Sequence, residues 1–406
     1  MEEAQTDSSR FQRIRNAIPN QYIVVFNDDV TWKEVRQIAS DYQRRNRNIL
    51  QMYGKVLNGF AIRLGESEAQ ELSQDARVKY VEEDALMSGN QTAITDCNTK
   101  AASDGHYPKC VTQSMAPWHV DRMAEGYTGL DGTFSITGTG KNITAYVVDT
   151  GILTTHSEFQ GRAASVYNAI SDSNGNTDCN GHGTFVAALI GGNKYGVAKQ
   201  VNLRSVRVLD CTGNGSTSNI IAGINWITTN GVRPAVVNLS FGGAANTSVD
   251  SAVTSSINSG GLIYVVAAGN SNVDVSTVSP ARVTAALTIG ASDQNQFRAG
   301  FSNYGAGVDY YIPGVSIYSA YIGSNTAQAL ATGTSFSAPI IAGLAAIELE
   351  WNPNPTSGIN GVSGDTRQMS LDAIYGTSSA SSTPVSTTTT STNNGSFKTF
   401  GSPFIY

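Results

Sequence analysis

Hydrophobic positions along this chain change their period near residue 90, and the change divides it. Residues 21–27 (QYIVVFN) form a short β-branched and aromatic run of the kind that makes a strand. Residues 31–45 place Trp32, Val35, Ile38 and Tyr42 at three- and four-residue intervals among charges, the spacing of a one-sided helix. Strands are predicted around 56–64 and 78–81, with a second helical stretch over 66–74. This β-α-β-β-α-β-like order predicts a small α+β module. From about Asn142 the pattern becomes one of continuous apolar runs: ITAYVV (143–148), LRSVRVL (203–209), AVVNL (235–239), LIYVVAA (262–268) and AALTI (285–289). Such runs suit strands covered on both faces. Helical spacing over 184–191, 217–230 and 247–259 separates them, which predicts an α/β fold with a doubly wound, mainly parallel sheet flanked by helices. Residues 336–350 are apolar on nearly every side, with Pro339 in the expected first turn, and should form a helix buried in the core.

Charge sharpens the division. Residues 1–90 carry 26 charged side chains, and the following 316 residues carry only 32. A net charge of −6 without a basic block argues against nucleic acid as a ligand. No apolar run approaches the ~18 residues of a membrane span. Residues 89–115 are polar and irregular and read as an arm or linker. Residues 376–396 hold 14 Ser or Thr, a composition that buries no core and predicts disorder or O-glycosylation.

Three reactive side chains stand at a strand end or a helix start. Asp149 closes the run ITAYVVD, His182 sits in Gly-His-Gly-Thr, and Ser335 sits in Gly-Thr-Ser. Open α/β sheets gather ligands at the carboxyl ends of their strands. Ser, His and Asp are also the parts that activate a hydroxyl: the imidazole takes its proton, and the carboxylate orients and stabilises the imidazolium. Each also has a plain reading, Asp149 as an Asx turn, Ser335 as a helix cap and His182 as a structural histidine. The order Asp…His…Ser differs from that of α/β-hydrolases, and Gly-Thr-Ser-Phe-Ser-Ala lacks the second glycine of a nucleophile elbow.

Val-Val-Asp149-Thr-Gly, Asn-Gly-His182-Gly-Thr, Ala-Ala-Gly-Asn270 and Gly-Thr-Ser335-Phe-Ser-Ala-Pro together resemble the subtilisin-like serine peptidases. Ala116-Pro117-Trp118, Asp178-Cys179-Asn180, Val208-Leu209-Asp210-Cys211, Arg233-Pro234-Ala235 and Phe301-Ser302-Asn303-Tyr304-Gly305 are similar to its proteinase K branch, especially the aqualysin-like members. Residues 21–88 resemble the family's inhibitory propeptide. The resemblance implies 1–20 as an extension, 21–88 as propeptide, 89–115 as processing arm, 116–352 as a subtilisin-like peptidase domain and 353–406 as a tail. It implies Ser335 as nucleophile, His182 as general base and acid, Asp149 as its partner, and Asn270 as an oxyanion donor. Peptide substrate would lie extended between Gly213-Asn214-Gly215 and Ser240-Phe241-Gly242. Ala268 and Gly269 would help to wall a pocket for apolar or aromatic P1 side chains. No organic cofactor is implied. A structural Ca²⁺ would take the Asp309 carboxylate and the carbonyls of Thr284 and Ala286, a mixed oxygen set that suits this ion.

The same resemblance pairs Cys179 with Cys211 and leaves Cys97 for Cys110; four cysteines by themselves permit three connectivities. Met1 to Ser9 shows no signal peptide, which taken alone points to the cytosol. The disulfides, the propeptide and six sequons (Asn90, Asn142, Asn214, Asn238, Asn246, Asn394) point instead to secretion, with Asn238 expected to be buried and unmodified. The expectation is a secreted, monomeric, self-processing serine endopeptidase whose partners are protein substrates and its own propeptide. The rival readings are a catalytically weak or latent binding protein on a degenerate fold, and an esterase. Phe185, Ala188-Leu189, Phe241 and Phe336 depart from the family pattern, and the chain turns polar by Asn352 where the family continues with packed elements.

Overall fold

The computed structural model describes residues 10–88, 92–96, 113–125, 130–134 and 138–351. Cys97, Cys110, Asn90, Asn394 and the tail from 352 onward lie outside the described residues. The N-terminal module contains β1 (Phe11–Gln12), β2 (Ala17–Phe26), α1 (Trp32–Arg44), β3 (Asn48–Tyr53), β4 (Gly59–Arg63), α2 (Glu66–Ser73) and β5 (Val78–Ser88). The sheet order is β1-β5-β2-β4-β3. Thr31 and Glu34 close a capping box at the start of α1. Both faces of β2 are buried over its second half, residues 22–26, as the two-residue period of a strand permits. Tyr22, Val24 and Phe26 pack with Val35, Ile38 and Leu72 of the helices, whereas Ile23 and Val25 join Tyr53, Tyr80 and Met87 in a cluster shared with the large domain.

This module reaches further than expected at its N-terminal end. Its sheet already includes residues 11–12 and 17–20, which the sequence reading assigned to an extension. Strand β5 runs on from the predicted 78–81 through Glu82-Glu83-Asp84 to Ser88, the expected end of the module. The 89–115 arm is partly regular, since β6 (Thr92–Asp96) pairs with a strand of the large domain described below.

The large domain continues with β7 (Gln113–Ser114), α3 (Trp118–Glu125), β8 (Thr133–Phe134), β9 (Thr144–Asp149), β10 (Ala163–Asn168), α4 (His182–Gly191), β11 (Asn202–Arg207), β12 (Asn214–Ser216) and α5 (Thr217–Asn230). There follow β13 (Ala235–Leu239), β14 (Gly243–Ala244), α6 (Thr247–Asn258), β15 (Leu262–Ala267), β16 (Val278–Ser279), β17 (Leu287–Ser292), β18 (Tyr310–Pro313), β19 (Ile317–Ala320), β20 (Gln328–Thr332) and α7 (Thr334–Trp351). Seven strands form one parallel sheet in the order β10-β11-β9-β13-β15-β17-β18. Ala145 and Val147 of β9 face a core with α4 and α7, and Tyr146 and Val148 face one with α5 and α6, so the sheet is wound on both sides. Strand β9 lies where the strand order reverses, the place where such sheets collect ligands beyond their carboxyl ends. No helix among the described residues is long and apolar enough to cross a membrane.

The N-terminal module sits on the α5 and α6 side. The Glu82 carboxylate accepts from the Thr247 and Ser248 amides (2.9 and 3.0 Å) at the start of α6, and Asp84 accepts from the Ser218 amide (3.1 Å) at the start of α5. Helix N-termini favour such anions. Burial nonetheless pushes both carboxyl groups upward, Asp84 to about 6. The end of β5 then pairs antiparallel with β12, Ser88 opposite Asn214 and Met87 opposite Gly215.

Candidate active site

Asp149 is the last residue of β9. Its carboxylate accepts from the amide of the next residue, Thr150 (2.7 Å), one residue short of the Asx turn of the plain reading. Gly151 follows with φ +117°, and a Cβ there would stand 2.9 Å from the Asp178 backbone nitrogen. His182 opens α4 behind Gly181, whose own Cβ would collide with the Tyr321 ring at 2.1 Å. These glycines let the strand end and the helix start approach until His182 Nδ1 lies 2.8 and 3.0 Å from the Asp149 carboxylate oxygens. Both side chains are buried. Burial pulls the His182 pKa down, but the charge and hydrogen bond of Asp149, then the charge of Asp178, hold it above the ordinary imidazole value. Because Nδ1 faces a carboxylate, Nε2 is the basic nitrogen of the neutral ring, and it has no hydrogen-bond partner.

Ser335 stands in the first turn of α7, with the Phe336 ring centroid 5.7 Å from that of His182. It is no helix cap: its Oγ donates to the Ser240 carbonyl (2.9 Å). Pro339 lies in the helix interior, not in the first turn, and has no N–H to offer the carbonyl four residues back. That carbonyl belongs to Ser335 and accepts from Ser240 Oγ instead (2.9 Å). Asn238 Nδ2 donates to the same Ser240 hydroxyl (2.8 Å). The structure thus joins Asp149 to His182 and Ser335 to Ser240, while His182 and Ser335 share no hydrogen bond.

Asn270 Oδ1 accepts from the Thr334 amide and hydroxyl (2.9 and 2.8 Å), which fixes Nδ2 as the donor end of its side chain beside the start of α7. Asn303 shapes the loop that carries it, accepting from the Ser271 and Val273 amides and donating to the Ala268 carbonyl. Gly269, at φ +99°, has no room for a Cβ against Asn303 and donates to Thr334 Oγ1 (3.0 Å). Gly213, Asn214 and Gly215 form one wall of a groove in which the end of β5 lies. On the opposite wall the close approach falls at Gly243, whose Cβ would lie 3.0 Å from Met87 Cγ, one residue beyond the expected Ser240-Phe241-Gly242. Phe241 is buried in the cluster that holds Met87. Phe185 and Phe336, two of the departures noted above, pack on each other with ring centroids 4.5 Å apart.

Cys179 and Cys211 form a disulfide. Asp309 is buried, and its Oδ2 accepts from the Thr288 amide (2.8 Å), just beyond the segment that holds Thr284 and Ala286. The Asp309 carboxylate is a hard oxygen donor of the kind Ca²⁺ takes. Among the described residues, the single group of His, Cys, Asp and Glu at metal-binding distances is Asp172 with the two disulfide sulfurs. Asp172 already pairs with the buried Arg207 guanidinium (2.6 Å). Sequence reasoning missed the supporting roles of Ser240, Asn303, Thr334 and Asp178. Their motifs were visible, but their partners are backbone and side-chain groups that only the fold brings close.

The model of the Subtilase family matches residues 140–401, and that of Peptidase inhibitor I9 matches 21–88. An extracellular serine proteinase of Thermus sp. (strain Rt41A) is 46% identical over 75% of this chain and 69% of its own length. An alkaline serine exoprotease A of Vibrio alginolyticus is 37% identical over 83% of this chain, which spans 61% of that protein. Among solved structures, a cold adapted subtilisin-like serine proteinase superposes with a TM-score of 0.57 at 43% identity, covering 59% of this chain and 87% of that one. The chain belongs to the subtilase family of serine proteinases and carries an I9 inhibitor propeptide ahead of its peptidase domain.

Proposed function

We propose that the chain is the precursor of a secreted endopeptidase that cleaves itself and then other proteins through Asp149, His182 and Ser335. The observation that carries this reading is the buried Asp149–His182 pair, with Nε2 left unpartnered beside the helix start that bears Ser335. A turn of the Ser335 hydroxyl away from Ser240 delivers its proton to Nε2 as Oγ attacks the substrate carbonyl. Asp149 stabilises the imidazolium so formed. Asn270 Nδ2 and the Ser335 amide, at the positive end of α7, donate to the oxyanion. His182 then returns the proton to the leaving amine, an acyl-enzyme remains on Ser335, and water releases it by the same steps.

Substrate adds a strand to β12, as β5 does here. The small walls at Ala268 and Gly269 favour apolar or aromatic P1 side chains. The first substrate is the chain itself: β5 leaves the groove at Ser88, and β6 begins at Thr92 on β20, which ends three residues before Ser335. The bond cut in processing therefore lies between Ser88 and Thr92. Asp309, with the carbonyls of Thr284 and Ala286, would hold a structural Ca²⁺; the enzyme works as a monomer and needs no organic cofactor. Extracellular location follows from the similarity to the extracellular proteinase of Thermus and from the Cys179–Cys211 disulfide. Mass spectrometry of wild type and Ser335→Ala tests the proposal. Wild type should yield a new N-terminus between Gly89 and Thr92 and react with a fluorophosphonate at Ser335, and Ser335→Ala should stay full length. An unprocessed, unlabelled wild type overturns it.

A further inference from the structure

Asp178 belongs to the Asp178-Cys179-Asn180 stretch of the sequence, and beyond its charge near His182 its hydrogen bonds have yet to be given a role. It is buried, and its carboxylate is saturated. Oδ1 accepts from Thr150 Oγ1 (2.9 Å), the Asn180 amide (3.0 Å) and the Gly181 amide (2.8 Å). Oδ2 accepts from the Thr184 amide (2.9 Å) and the Thr184 hydroxyl (2.6 Å). Both hydroxyls pass the connection on: Thr150 Oγ1 accepts from the Gly183 amide (3.0 Å), and Thr184 Oγ1 accepts from the Leu153 amide (2.9 Å). One carboxylate therefore grips the residue after Asp149 and the residues on both sides of His182.

Asp178 is also a charge. Among the described residues it has no cationic partner, and its charge rests on the amides of the first turn of α4. The groups around His182 are few. Asp149 faces it from β9 and Asp178 from the loop before α4, while α7 presents Ser335 and the Phe336 ring. The Tyr321 hydroxyl, from beyond β19, is occupied by the Asn180 carbonyl. Arg207, at the end of β11, reaches the Thr150 carbonyl but is paired with Asp172. We propose that Asp178 is a positioning residue that clamps the Asp149 turn to the His182 helix start and supplies a second negative charge to stabilise the imidazolium formed in the reaction.

This inference rests on His182 acting as the base, and the test keeps the two apart. In the processed enzyme, Asp178→Asn removes the charge and turns an amide toward Thr184. Loss of a charge that favours the imidazolium lowers the His182 pKa. The acid limb of kcat/KM should then move to lower pH by about half a unit, the small side of neighbouring-charge effects. At the same time kcat should fall about tenfold. Thr150→Val keeps the charge but cuts the link from Asp178 to the Asp149 turn; kcat should fall several-fold with the acid limb unmoved. In a Ser335→Ala background, the low-field Nδ1 proton of His182 should titrate at lower pH when Asp178→Asn is added. An unmoved limb and unmoved titration in Asp178→Asn overturn the charge role. Wild-type kcat in Thr150→Val overturns the clamp, even if Asp178→Asn fails to fold. A wild type that does not react with fluorophosphonate sinks the reading of His182 as base and leaves nothing for Asp178 to support.

Discussion

The propeptide and the peptidase domain each build a sheet and must cover it, but they do so with different resources. The peptidase sheet has its own helices on both faces, α4 and α7 on one and α5 and α6 on the other. The propeptide sheet has α1 and α2 on one face only, and its second face, with Ile23, Val25, Tyr53 and Tyr80, is completed by the peptidase. One is self-sufficient and the other borrows half its core. The difference teaches why the charge-dense module can be both tight and disposable: its hold depends on a surface it does not own, and on two carboxylates set against another domain's helix ends.

The largest effect expected is on the covalent joint between the two. Ser335→Ala should lower the rate of separation by about 10⁴-fold or more, read by gel and intact mass, and a processed Ser335→Ala would break the comparison at its root. Next, the peptidase should rely on its own staple. Replacing Cys179 and Cys211 by Ala opens a separation of 32 residues and should cost the processed enzyme about 3–4 kcal/mol, seen as a lower denaturation midpoint. Propeptide affinity at the native groove should change less. Borrowed contacts come third: Glu82→Ala or Asp84→Ala strands amides at the start of α6 or α5 and should weaken inhibition by added propeptide about tenfold each. An unchanged inhibition constant would mean that the caps contribute nothing.

The smallest effect is a proton linkage. Burial raises Glu82, and Asp84 to about 6, above the ordinary carboxylate range, so docking takes up protons. The contribution of Asp84 is then fully present below about pH 4 and is lost as pH rises through about 6, and that of Glu82 changes in the same direction. Binding of the propeptide to the Ser335→Ala peptidase should weaken several-fold from pH 5 to pH 8. Tightening over that range would reverse the sign and remove the linkage.

Strands covered on both faces were legible because continuous apolar runs have few other uses; residues 235–239 match β13 to the residue. Short strands such as β18 (YYIP), at the edge of the large sheet, and β20 (QALAT), in the middle of a small one, carry no comparable run and were missed. The end of β5 was hidden for a different reason. Glu82-Glu83-Asp84 is an ordinary solvent-facing pattern until two helix starts of another domain are placed against it. Asp149, His182, Ser335 and Asn270 were legible through their motifs. Ser240 was read as groove wall alone because the carbonyl it satisfies is orphaned by Pro339, a consequence of helix geometry rather than of either local sequence. Asp178 was invisible in the same way, since all five groups it accepts from are set by the fold.

The paired bonds between Ser240 and Ser335 carry a consequence for how such an enzyme can change. The residue proposed as nucleophile and the residue that begins a substrate-binding wall are bolted together through each other's carbonyls, so they move as one part. A substitution that reshapes that wall to admit a new side chain also displaces the attacking oxygen. Selectivity and turnover are therefore not independent dials at this position. Variants that broaden what the groove accepts without slowing the chemistry should arise at Gly213 or Gly215, on the wall opposite Ser240.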